Sequence, residues 1–189
     1  IADDDVRILV CNSGVKRGLT ESSYNNRRNA CEDGVRQLAL ATGTEFRALR
    51  DVSRDDLEDY RGALTEEIYV RCRHVISEIE RTSGAVKMLK AGNISEFGAA
   101  MAESHKSLRD DYEVSGPELN QLVKIADSVE GVYGARMTGA GFGGCIVCLT
   151  HKDGVGDLVA AVQREYTAKS EYEGEVYLCS AVNGVERME

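Results

Sequence analysis

The stretch VYGARMTGAGFGGCIVCLT, residues 132–150, decides how the chain is read. Two apolar runs, VYGARM and CIVCLT, have the length and composition of strands, and the loop GAGFGG separates them. Glycine fills 139, 141, 143 and 144. That much backbone freedom serves either a very sharp turn or a very close approach. In the second case backbone amides could point together at an anion, with no Cβ to block a phosphate. The P-loop pattern does not fit, because there is no Gly-Lys-Ser/Thr; the dinucleotide fingerprint fails because a strand, not a helix, follows. Thr138 sets a hydroxyl at the lip of the loop, and Phe142 sits among the glycines, where a simple turn has no use for a ring. Both favour a ligand. Thr138, Gly139, Ala140, Gly141, Phe142, Gly143 and Gly144 are therefore the candidate phosphate-binding segment.

Working outward, the chain downstream reads as a helix over about 153–168 and a closing strand, EVYLCSAV. Upstream, Pro117 opens the helix PELNQLVKIADSV, where its fixed φ and missing donor suit a first turn. A helix over 94–109 carries Phe97, Met101 and Leu108. Another, over about 65–90, has a stripe of Ile68, Cys72, Val75, Ile79, Val86 and Leu89. The short Gly92-Asn93 connection makes these two an antiparallel pair. DVSRDDLEDY reads as a short capped helix. A longer helix, capped by Thr20 or Ser22, runs to about Ala41 with Tyr24, Cys31, Val35 and Leu38 at helical spacing, and Gly43 ends it. The first strand, VRILVC at 6–11, is separated from the others by more than a hundred residues. It either pairs within this domain or belongs to a sheet whose other strands lie elsewhere. The fold class expected is α+β, an antiparallel sheet with helices packed on one face.

The length of 189 residues and a hydrophobic share of 42% allow one sizeable core. A net charge of −9, from 32 acidic and 23 basic residues, disfavours nucleic-acid and anionic-membrane surfaces. No basic leader with an apolar core and no run of membrane-spanning length is seen, so the expectation is a cytoplasmic protein. Of the six cysteines only Cys145 and Cys148 are close in sequence, and on a strand that spacing points them to opposite faces. Neither a zinc site nor a disulfide framework is expected.

After the first strand, NSGVKRGLTESSYNNRR bends into a helix with Lys16 and Arg17 in the bend. A cation there could stabilise a transferring phosphoryl group, or it could belong to a solvated turn. Tyr24 is either a core aromatic or a hydroxyl offered to a ligand; Arg27 and Arg28 are expected to pair with acids of the same chain. Taken together, NSGVKRGLTESSYNNRRNACE, RCRHVISEIERT, FGAAMAESHKSLRDDYEVSGPELNQLV and GVYGARMTGAGFGGC resemble blocks of galactokinases, in order and over essentially the whole chain. The glycine loop by itself resembles only the wider GHMP class of small-molecule kinases.

The resemblance implies the C-terminal part of a two-lobed kinase that transfers the γ-phosphoryl of ATP, with Mg2+, to the anomeric hydroxyl of galactose. It implies a phosphate-side role for Lys16, a sugar contact for Tyr24 and a phosphate-lining role for the glycine loop. Residues 1–20 would be a strand and loop continuing from a missing N-terminal lobe, and 21–189 the C-terminal domain. That lobe would supply the sugar-recognition segment, a nucleotide loop and the catalytic aspartate, so this chain by itself is expected to be inactive. Asp110 and Asp111, the tempting substitutes, fall in the family's RDDYE block and are expected to be structural. The chain departs from the family at Gly14, Arg17, Gly116 and Ala140. A kinase for N-acetylgalactosamine and a galactose sensor remain alternative readings.

Overall fold

The computed structural model describes residues 4–15 and 21–181, with the backbone only at 21–23. Four strands, β1 (Val6–Asn12), β2 (Val132–Thr138), β3 (Cys145–His151) and β4 (Glu175–Cys179), form one antiparallel sheet in the order β2-β3-β1-β4. The first strand thus pairs within the domain, between β3 and β4. Although the division at residue 20 sets it apart, it is an interior strand of this sheet.

Alternation explains the pairing. Leu9 and Cys11 lie opposite Cys148 and Ile146, which lie opposite Ala135 and Met137, so one apolar row crosses three strands. On that face pack α5 (Pro117–Asp127), α6 (Val155–Val162) and the π-helical turn Gln163–Thr167 that continues α6. Leu119, Leu122, Ile125, Leu158, Val162 and Tyr166 close the main core. The single helix expected over 153–168 is therefore a short 3₁₀ turn, α6 and a π turn in succession.

Helix α4 (Ile94–Asp110) lies along β2, the edge strand. Its Gly98 meets the strand backbone so closely that a Cβ on Gly134 would fall 2.0 Å from the Gly98 carbonyl oxygen. Further along, His105 Nδ1 accepts the Met137 N–H at 3.3 Å. The edge is thereby covered rather than left open to pairing. Met101 of α4 joins Val6 and Leu149 in a small cluster on the sheet's reverse face.

A second core forms among α1 (Glu21–Thr42), α2 (Arg54–Asp59) and α3 (Glu66–Lys90), built on Leu38, Leu57, Tyr69, Cys72 and Ile76. Thr65 and Ser53 cap α3 and α2 by accepting the Ile68 and Asp56 amides. The apolar stripe expected along the whole of α3 is buried only in its first half. Ile79 and Val86 are 39% and 46% exposed, because no residue of α3 beyond Ile76 is enclosed. Tyr24, read as the first member of the α1 stripe, is likewise out in solvent. Cys145 and Cys148 do face opposite ways, Cys148 buried beside Cys11, and none of the six cysteines is in a disulfide.

Candidate functional site

Three segments meet at one end of the sheet: the exit of β1, the glycine loop between β2 and β3, and the turn between α4 and α5. Backbone geometry in the loop is left-handed at Gly139, Gly141, Phe142, Gly143 and Gly144, with φ of 81°, 81°, 60°, 126° and 87°. Only glycine adopts such angles freely, so Phe142 needs a reason to be there. Its N–H donates to the Val114 carbonyl at 2.8 Å, and its ring packs against the main core. The ring thus has a packing partner within the domain, which the sequence did not reveal.

A Cβ on Gly141 would stand 2.1 Å from the Val114 oxygen. Here the close approach is to the chain's own backbone. The outward part of the loop is its lip: Thr138, Gly139 and Ala140 are exposed, while Gly141 and Gly143 are buried. The loop accordingly has an anchored half and a free half.

The exit of β1 is stapled to the anchored half. The buried Ser13 donates its N–H to the Gly144 carbonyl at 2.8 Å, and the Tyr166 hydroxyl donates to the Ser13 carbonyl at 2.7 Å. Burial pushes that phenol up to about 12. Val15 lies against Gly143, where a Cβ would be 3.1 Å from its side chain and carbonyl. Lys16, Arg17 and Thr20 lie outside the described residues.

The turn after α4 is held from behind. Arg71 of α3 donates to the Asp111 carbonyl, and Arg27 of α1 donates to the Tyr112 and Glu113 carbonyls at 2.9 and 3.2 Å. Next in line is the Val114 carbonyl, already committed to Phe142. Arg71 is only 4% exposed and also meets the Glu113 carboxylate at 2.5 Å. Glu113 has a left-handed φ of 52°. Asp111 pairs with Arg73 at 2.5 Å and accepts from the Ser107 hydroxyl at 3.1 Å. With the Ser107 proton so used, its oxygen accepts from His74 Nδ1 at 2.9 Å, which assigns the His74 tautomer. The His74 ring stacks on Tyr112 with centroids 4.3 Å apart, and burial pulls its pKa down to about 4, so it is neutral.

Several predicted residues therefore find their places. Arg27 and Arg28 pair with Glu113 and Glu32, as expected of them. Asp111 is occupied by Arg73 and Ser107, and Asp110 is gripped by Arg109, which holds its carboxyl below the usual range. Neither is placed to act as a base. Tyr24, on the first turns of α1 and 58% exposed, presents its ring to solvent one turn before Arg27. Arg71 and Glu113 were not singled out by the sequence, since a pair 42 positions apart leaves no periodic trace. Among the described residues no group of three or more His, Cys, Asp or Glu is arranged to hold a metal ion, and no helix is long and apolar enough to cross a membrane.

Residues 85–168 match the family described as GHMP kinases C terminal. Galactokinase of Chloroflexus aggregans is 46% identical over 180 residues, covering 95% of this chain and 46% of that protein. The human galactokinase is 42% identical over 184 residues, covering 97% of this chain and 44% of that one. The crystal structure of Lactococcus lactis galactokinase complexed with galactose superposes with a TM-score of 0.86 at 36% identity, over 92% of this chain and 45% of that chain. The chain thus spans a little under half the length of the relatives it matches.

Proposed function

We propose that this chain is the C-terminal half of a galactokinase, a kinase that moves the γ-phosphoryl of MgATP to the anomeric hydroxyl of galactose. The observation that carries the reading is the end-to-end similarity to galactokinases, at 40–46% identity across nearly the whole chain.

The geometry suits that role. An anchored, left-handed loop with an exposed lip is a preformed surface for phosphate oxygens, and a preformed surface needs no reorganisation when charge develops on them. A side chain at Gly139 would be strained at its φ of 81°, whereas the Thr138 hydroxyl adds a donor to the lip. Lys16 follows Val15 directly in the sequence, and Val15 rests on Gly143. We assign Lys16 to phosphate charge and Tyr24 to the sugar. No described residue is assigned to Mg2+, because Glu113 and Asp111 are already ion-paired and no group of three or more His, Cys, Asp or Glu among the described residues is arranged to hold a metal ion. Magnesium, when bound, would neutralise phosphate charge, with its ligands supplied by the nucleotide and the other half of the protein. Six cysteines without a disulfide among them suit a reducing compartment, and we place the protein in the cytoplasm.

The other half would provide the catalytic aspartate and the rest of the nucleotide site, since near-attack geometry requires both reactants to be held together. The test is galactose-dependent ADP release from MgATP, by the 189-residue chain and by the full-length protein. Turnover by the full-length protein only is the expected result. Turnover with N-acetylgalactosamine instead, or tight binding without turnover, would replace the assignment with the sibling kinase or a sensor.

A further inference from the structure

We propose that Arg71 and Glu113 are positioning residues for the glycine loop, forming a clamp that sets where the phosphates of ATP can bind. The proposal rests on the reading of that loop as the phosphate site, and it concerns residues that touch neither substrate.

The argument begins with a run of carbonyls. From Asp111 to Val114 each peptide oxygen has an assigned donor: Arg71, Arg27, Arg27 again, and the Phe142 amide. Such complete use of consecutive acceptors turns a loop into a strut. The strut meets the glycine loop at Val114, which accepts from Phe142 and leaves no room for a side chain on Gly141. Wherever Val114 goes, the anchored half of the loop must follow.

Two features show that the strut is held in place by charge. Arg71 is a buried cation, and such a group is stable only where carbonyls and a carboxylate surround it. It finds the Asp111 oxygen and the Glu113 carboxylate. Glu113 in turn sits at φ 52°, a conformation that a glutamate adopts only when its surroundings impose it. The ion pair to Arg71 and the Arg27 bond to its carbonyl are those surroundings. Because Arg27 lies one turn after Tyr24, the same clamp ties the sugar-side helix to the phosphate loop.

Glu113→Gln is the decisive variant, because that side chain is 59% exposed and its replacement leaves the cores intact. Arg71→Gln removes the other partner, at greater risk to folding. In the 189-residue chain, Glu113→Gln should speed hydrogen exchange at the Phe142 amide about tenfold, with the β3 amides unchanged. In the full-length protein, KM for MgATP should rise about three- to tenfold while KM for galactose and kcat stay within about twofold. Unchanged exchange at Phe142 would overturn the clamp. So would an equal fall in kcat with both KM values constant, which would mark a residue that only supports folding. Should the wild-type full-length protein show no galactose-dependent turnover, the kinase reading fails by itself. The exchange result still decides whether the clamp holds the loop.

Discussion

At the scale of single residues, the same substitution is expected to act in opposite directions at different glycines. A Cβ at Gly98 would lie 2.2 Å from the Tyr133 carbonyl oxygen, which is backbone and cannot swing aside. Gly98→Ala must therefore lift α4 off the edge strand, at a cost of about 2–4 kcal/mol. Gly84 lies inside α3 at an ordinary helical φ, with its nearest neighbour the flexible end of Met88 at 4.0 Å. There alanine restricts only the unfolded chain, so Gly84→Ala should stabilise by about 0.5–1 kcal/mol. Urea unfolding of the two variants checks both signs. A stable Gly98→Ala protein would mean that α4 is not seated on β2 as described.

At the scale of elements, the seat of α4 depends on an uncharged imidazole. His105 Nδ1 can accept the Met137 N–H only while it carries no proton, and burial, helped by the nearby Arg109 charge, pulls its pKa down to about 4. His74, which joins α3 to α4 through Ser107, is lowered to about 4 as well, chiefly by burial. Both folded values lie below the ordinary histidine value, so as pH falls past about 6.5 the unfolded chain takes up protons that the folded chain refuses. Stability is therefore full above about 6.5 and declines towards pH 4, by up to about 1.4 kcal/mol per pH unit for each histidine. Urea midpoints between pH 7 and 4.5 should show this slope, and His105→Gln should make it shallower by one proton's worth. Little of this packing could be read from the sequence. The strands around the glycine loop, the opening of α5 at Pro117 and the α3–α4 pair were legible, because they depend on local period and turn chemistry. Ile79 and Val86 misled, since periodicity names an apolar face without saying how far a neighbour covers it. The packing of Phe142 was not legible either, because the core that receives its ring is assembled from segments distant in sequence. The glycine loop was legible as a special backbone; that half of it is anchored to Val114 was not.

At the scale of the whole molecule, the question is whether two cores make one cooperative unit. Among the described residues the sheet core has seventeen buried members, whereas the core among α1, α2 and α3 has seven. A cluster of the smaller size rarely supports an independent fold, so the helical unit must draw on the sheet unit for stability. The connections are substantial. Helix α3 packs on α4, which covers the sheet edge, and the Arg71–Glu113 and Arg73–Asp111 pairs cross the same junction. Breaking it would separate α3 from α4 and remove both ion pairs and the Asp111 carbonyl contact of Arg71 together, a cost that favours unfolding everything at once over releasing one half. Leu38→Ala, at a fully buried site in the smaller core, should therefore lower the stability of the entire chain by about 2–5 kcal/mol in a single transition. Amide exchange in β1 and β3 should accelerate in parallel with that in α1. If the strand amides instead kept their wild-type protection while α1 exchanged freely, the helical unit would be opening by itself. The clamp behind the glycine loop would then be an intermittent contact rather than a fixed strut.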